Sequence, residues 1–126
     1  MKGLGPIEST NPCGEVVLYP YESCNLGSIN VWSYLKKNGD KKSHFDWQKL
    51  ERDVQIATRF LDNVVDVNKY PLPEIEEMSL NTRKLGLGIM GLGDLFYELE
   101  IPYDSREGLE FIEKLMEFIN YYSKIT

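Results

Sequence analysis

The segment Asn11-Pro12-Cys13-Gly14-Glu15 places an amide, a thiol and a carboxylate at alternate positions, in a stretch that proline and glycine keep out of a helix. In an extended chain such positions share one face. Pro12 biases Asn11 toward extended backbone, and Gly14 leaves room for close approach of a ligand. The spacing therefore predicts three functional groups aimed into one small volume. A thiol there supplies a hydrogen atom or a nucleophile, a carboxylate accepts a proton from a hydroxyl, and an amide orients polyol oxygens. A tight Pro-Cys-Gly turn around a small packed cysteine is the alternative that these residues leave open.

The second cysteine, Cys24, lies in Glu22-Ser23-Cys24-Asn25-Leu26-Gly27-Ser28-Ile29-Asn30. Its separation from Cys13 allows a loop that brings both thiols to one site, a thiol packed on a strand, or a direct disulfide, which a reducing compartment disfavours. Two cysteines and the single His44 cannot complete a four-ligand zinc site, and no structural metal is expected. Gly86-Leu87-Gly88-Ile89-Met90-Gly91 matches a dinucleotide fingerprint in form. Polar Asn81-Thr82-Arg83-Lys84 precedes it where a hydrophobic strand should stand, and no β-α-β unit of the usual length surrounds it. Close packing of a strand and a helix is the expected use of these glycines. Glu74, Glu76 and Glu77 read as a solvated first helical turn, His44 as an exposed loop residue, and Tyr121-Tyr122 as packing on the last helix.

The elements that must position these groups are legible in outline. Glycines and prolines punctuate the first thirty residues, where Val16–Leu18 and Leu26–Trp32 are the strand candidates. Lys36–Ser43, containing Asn38-Gly39-Asp40, reads as a charged turn. Asp46 then caps an amphipathic helix from Trp47 to about Asn68, with Leu50, Val54, Ala57, Phe60, Leu61, Val64 and Val65 on its apolar side. Pro71 and Pro73 end it and restart a short helix over Glu74–Leu80. Leu85–Met90 reads as a buried strand and Leu92–Leu99 as helix. Asp104 or Ser105 caps a last helix, with Leu109, Ile112, Leu115, Met116 and Ile119 on one face.

Composition bounds the class. The 126 residues are 42% apolar and 27% charged, enough for one domain with a core and too ordinary for a disordered or collagen-like chain. A net charge of −6 without a long basic run argues against a nucleic-acid groove. No signal peptide or apolar span is evident, so neither a membrane nor an oxidising compartment is expected, and the cytoplasm is the expected location.

Leu4-Gly5-Pro6-Ile7-Glu8, the Asn11–Glu15 segment and Pro20-Tyr21-Glu22-Ser23-Cys24-Asn25-Leu26-Gly27-Ser28-Ile29-Asn30 resemble the catalytic core of the ribonucleotide reductase large subunit, most closely its adenosylcobalamin-dependent class. Arg83-Lys84-Leu85-Gly86-Leu87-Gly88-Ile89-Met90-Gly91-Leu92-Gly93-Asp94-Leu95 and Tyr103-Asp104-Ser105 are similar to the same family's downstream segment. The resemblance implies an α/β fold, a mainly helical portion of a ten-stranded β/α barrel. Residues 1–32 would form its finger loop and strands, and residues 46–126 its mainly helical part. It implies that Cys13 becomes a thiyl radical abstracting the 3′ hydrogen of a ribonucleotide, that Glu15 is the base on the 3′ hydroxyl, and that Asn11 binds the ribose hydroxyls. Cys24 would be one half of the reducing dithiol, ending turnover as a disulfide.

The implied cofactor is adenosylcobalamin, and the implied reductant an external dithiol such as thioredoxin. The partner of Cys24, the rest of the barrel and the allosteric site have no counterpart in the sequence. The chain therefore reads as a reductase segment that needs complementary segments and is inactive alone. The rival reading is a non-catalytic helical assembly module or remnant of a split reductase gene.

Overall fold

The computed structural model describes residues 5–38 and 41–126. Leu4 of the first motif, and Gly39 and Asp40 of the charged turn, lie outside the described residues. The chain forms two units. One is built from the chain up to Gly27 together with Phe60–Gly86, the other from Ser28–Arg59 with Leu87–Thr126.

Near the start of the first unit, β1 (Ser9–Thr10) pairs antiparallel with β2 (Val17–Leu18), in the register Ser9 to Leu18 and Thr10 to Val17. β3 (Asn25–Asn30) pairs with β6 (Leu85–Met90). The Asn25 N–H donates to the Lys84 carbonyl at 3.3 Å where the strands begin, and Asn30 lies against Gly91 where they end, so the two run parallel. A parallel pair needs a long crossover, and here two helices supply it. These are α1 (Trp47–Val67) and α2 (Pro73–Thr82).

α1 starts where Asp46 Oδ1 accepts the Lys49 N–H at 3.0 Å, as the cap reading expected. Pro73 occupies the first turn of α2, where its missing N–H costs nothing. α2 ends on Arg83, whose φ of 45° is strained for a side-chain-bearing residue. The strain is offset by its guanidinium, which reaches back to Asp62 at 2.8 Å and forks onto Asp66 at 2.7 and 3.0 Å.

In the second unit β3 passes into a 3-10 turn over Val31–Tyr34. The expected strand to Trp32 therefore stops at Asn30, whose side chain accepts the Trp32 N–H at 3.2 Å. The expected charged turn is instead a hairpin. β4 (Leu35–Asn38) pairs antiparallel with β5 (Lys41–Phe45), with an irregularity between Lys36 and Asn38. Backbone pairing between Leu35 and Phe45 carries the lysine-rich stretch into strand despite its weak strand propensity.

α3 (Leu92–Leu99) and α4 (Arg106–Lys124) follow, and Ser105 rather than Asp104 caps α4 by accepting the Gly108 N–H at 3.0 Å. The core of this unit gathers Ile29, Val31, Tyr34, Phe45, Leu50, Val54, Leu95, Leu115 and Ile119. Three residues assigned to apolar faces prove exposed: Phe60, Leu109 and Met116. On α4 their place is taken by Phe111, Phe118 and Tyr122, which pack against the core because aromatic neighbours Phe45 and Trp47 lie on that side. Among the described residues the strands form three separate two-stranded sheets and no closed barrel. The β3-α1-α2-β6 crossover is nonetheless the kind of unit from which β/α barrels are assembled.

Candidate functional site

Cys13 lies in the loop that joins β1 to β2, exposed and unbridged. The loop closes by three hydrogen bonds. The Asn11 N–H donates to the Val16 carbonyl at 3.1 Å, the Gly14 N–H to the Asn11 carbonyl at 3.0 Å, and the Val16 N–H to Asn11 Oδ1 at 3.0 Å. Asn11–Gly14 is thus a turn, and the expected extended run with three groups on one face is corrected. Pro12 fits the second position of such a turn, and Gly14 takes a φ of 80° that glycine adopts freely. The turn presents Cys13 and Glu15 to solvent at the hairpin tip, while Asn11 is half-buried with its amide oxygen occupied.

Past β2 the chain turns over Tyr19–Glu22, with the Glu22 N–H donating to the Tyr19 carbonyl at 3.1 Å. Tyr21, at the third position, has a φ of 61°, strained for a residue other than glycine. Glu22 is buried, and its Oε2 accepts the Tyr19 N–H at 2.9 Å and the Lys84 ammonium at 2.6 Å. Burial works to raise the Glu22 carboxyl, but the hydrogen bonds from Lys84 and the Tyr19 amide, with the charge of Lys84, outweigh it and hold the carboxyl below its ordinary value. Its other oxygen, Oε1, is buried with no hydrogen-bond partner among the described residues.

Cys24 follows, half-buried and unbridged, with Sγ 3.7 Å from the Asn25 carbonyl oxygen. Ser23 beside it meets the buried Ser79 hydroxyl of α2 at 2.7 Å. Burial pushes the Cys24 thiol above its ordinary range; Lys84 pulls it down, while the charges of Glu22 and Glu15 push it further up. The thiol is thereby kept in its S–H form at neutral pH. Both cysteines, Glu15 and Lys84 belong to the first unit.

Lys84 and Glu22 were not singled out by sequence reasoning. Each sits inside a quoted motif, but the two are 62 positions apart and a single sequence carries no signal of their pairing. The fingerprint glycines are settled by position. Gly86 and Gly88 fall within β6 rather than after it, and a side chain on Gly86 would collide with Leu26 and stand 3.5 Å from Cys24 Sγ. At Gly91, with a φ of 74°, it would collide with Asn30. The close packing is therefore of strand against strand. A β-α-β crossover does exist here with β6 as its second strand, but residues 31–84 lie between its strands, longer than the usual unit that the sequence reading found missing.

Among the described residues no cluster of histidine, cysteine, aspartate or glutamate could hold a metal. Glu74 and Glu76 lie in the first turn of α2, and His44 is exposed on β5. Tyr122 packs on Phe118 with ring centroids 4.5 Å apart, and Tyr121 is exposed. Open grooves along α4 and beside Trp32, Asp94, Tyr97 and Glu98 lie in the second unit and include neither cysteine. No helix among the described residues is long and apolar enough to cross a membrane.

The family model of the ribonucleotide reductase barrel domain matches residues 1–126. The chain is 55% identical over 120 residues to the vitamin B12-dependent ribonucleoside-diphosphate reductase of Thermoplasma acidophilum, covering 95% of this chain and 15% of that protein. It is 52% identical over 117 residues to the protein of the same name from Mycobacterium tuberculosis, covering 93% and 16%. To the ribonucleoside-diphosphate reductase subunit alpha of Chlamydia pneumoniae it is 43% identical over 124 residues, covering 95% and 11%. The chain thus spans less than a fifth of the length of these relatives. With a family match along its whole length, the chain belongs to the ribonucleotide reductase barrel-domain family.

Proposed function

We propose that this chain is the thiol-bearing segment of a ribonucleotide reductase that reduces ribonucleoside diphosphates to deoxyribonucleotides and works only with the rest of the enzyme. One arrangement carries the reading. An exposed, unbridged Cys13 stands at a hairpin tip with Glu15 two residues on, in the same unit as a half-buried, unbridged Cys24 that feels the charge of Glu15.

In the proposed reaction Cys13, after losing its thiol hydrogen atom, takes the hydrogen from C3′ of the ribose and becomes a thiol again. Glu15 accepts the 3′ hydroxyl proton, and the 2′ hydroxyl leaves as water with a proton supplied by a thiol. Cys24, held as S–H by its surroundings, and a second thiol from the rest of the enzyme together give two electrons and two protons and end as a disulfide. Cys13 then returns a hydrogen atom to C3′ and is a thiyl again, while Glu15 gives its proton back to the 3′ oxygen. The NH2 group of Asn11 is left to meet a ribose hydroxyl, since its oxygen closes the loop. An external dithiol such as thioredoxin reduces the disulfide for the next turnover.

The names of the first two relatives point to adenosylcobalamin as the radical source. Adenosylcobalamin supplies a carbon radical able to take a hydrogen atom from a thiol. An exposed thiol free of any disulfide fits that need, and Cys13 is the residue that would face the cofactor.

The test uses the chain assembled with complementary reductase segments. Cys13→Ser removes the hydrogen donor and should abolish turnover, and Glu15→Gln should lower it roughly 10²–10⁴-fold, the usual weight of a general base. Assembly, followed by co-purification, should be unchanged. Retained turnover in Cys13→Ser would refute the assignment and favour a non-catalytic assembly module.

A further inference from the structure

One side chain links the hairpin of Cys13 to the strand edge of Cys24. The Lys84 ammonium donates to the Val17 carbonyl in β2 at 2.8 Å and to Glu22 Oε2 at 2.6 Å, and it lies 5.4 Å from the centre of the Tyr19 ring. Its own carbonyl accepts the N–H of Asn25, the residue after Cys24, at 3.3 Å. Lys84 therefore holds the base of the hairpin with its side chain and the neighbourhood of Cys24 with its backbone.

Glu22 completes the tie. Its side chain has no solvent exposure, one oxygen is bound to Lys84 and the Tyr19 amide, and the other is unpartnered. Only the Glu22 end of this pair is fully buried, the Lys84 side chain being 26% exposed, and a wholly buried carboxylate with one oxygen unpartnered carries a desolvation cost that apolar residues of similar volume would not. The turn that it braces contains Tyr21 at a φ of 61°. Such backbone strain persists only where the surroundings over-determine the conformation. Cost and strain together, between the two cysteines, point to a requirement for position.

We propose that Lys84, held by Glu22, is a positioning residue of the two-cysteine site, tying the Cys13 hairpin to the strand edge beside Cys24 and so setting the separation of the two sulfurs. This rests on the reading that Cys13 and Cys24 act together. Its test uses thiol chemistry alone, so it can fail while that reading stands.

The measurement is the rate at which reduced protein is cross-linked between Cys13 and Cys24 by bifunctional thiol reagents of graded span, normalised to single alkylation of each thiol. The native protein should show one preferred span. Lys84→Met, which keeps the length of the stem, should flatten that preference and slow the best reagent on the order of tenfold, as a fixed pair becomes a flexibly linked one. An unaltered span profile in folded Lys84→Met overturns the proposal. If that variant does not fold by circular dichroism, Glu22→Gln, which keeps the shape of the side chain, takes the same test with the same two outcomes.

A pH profile of Cys24 alkylation separates positioning from loosening. The charged groups acting on Cys24 are Lys84 at the start of β6, Glu22 in the turn and Glu15 on the hairpin. Lys84→Met should move the midpoint up and Glu22→Gln should move it down. A common shift of both toward the ordinary thiol value would show mere exposure of Cys24 and overturn the proposal.

Discussion

Asn11 Oδ1 accepts the Val16 N–H at 3.0 Å, so a residue whose chemistry suggested ribose recognition also closes the loop that presents Cys13. Asn11→Ala should remove about 1 kcal/mol of local stability, the usual net worth of such a bond, and speed exchange of the Val16 amide about fivefold. Exchange at the native rate would show that this bond contributes nothing to the loop. The residue types at Asn11, Cys13 and Glu15 were plain in the sequence, but their geometry was not. Pro12 and Gly14 suit an extended run and a turn equally, and the choice fell to hydrogen bonds with Val16. Glu22 and Lys84 were harder still. Their roles exist only as a contact between distant positions.

Local signals did well where one element decides its own ends. Asp46 caps α1, Pro73 opens α2 and Ser105 caps α4, each through a bond or a missing donor within the same few residues. Ser105→Ala should cost about 1 kcal/mol, read as a lowered midpoint in urea unfolding. Because Ser105 belongs to the second unit, alkylation of Cys13 and Cys24 should be unchanged. An unaltered midpoint would mean that the cap bond adds nothing. Signals failed where a partner decides. On α4, Leu109 and Met116 share the apolar period with Leu115 and Ile119, yet the facing aromatic rings draw in Phe111 and Phe118 instead. The β4–β5 hairpin was read as a turn because its lysines mask a pairing that only the opposite strand makes favourable.

For the chain as a whole, the parallel pair of β3 and β6 is left with unpaired outer edges among the described residues, a condition that further strands relieve in a barrel. Together with a span of 15% and 16% of two relatives, this bears on activity. The purified chain, given a ribonucleoside diphosphate, adenosylcobalamin and a dithiol, should form no deoxyribonucleotide. Product formation by the chain alone would overturn the proposed dependence on a second reducing thiol. The sequence by itself determined the family, the residue types at the thiol site, where the helices begin to within a residue and the strand nature of β6, because motifs, caps and periodicity are written in near neighbours. Only tertiary structure decided that Asn11–Gly14 turns rather than extends, which helix faces are covered, and that Lys84 meets Glu22. The turn is selected by hydrogen bonds of Asn11 to Gly14 and Val16, and the other two outcomes by contacts between residues far apart in the chain; in each the folded geometry selects one among several locally acceptable conformations.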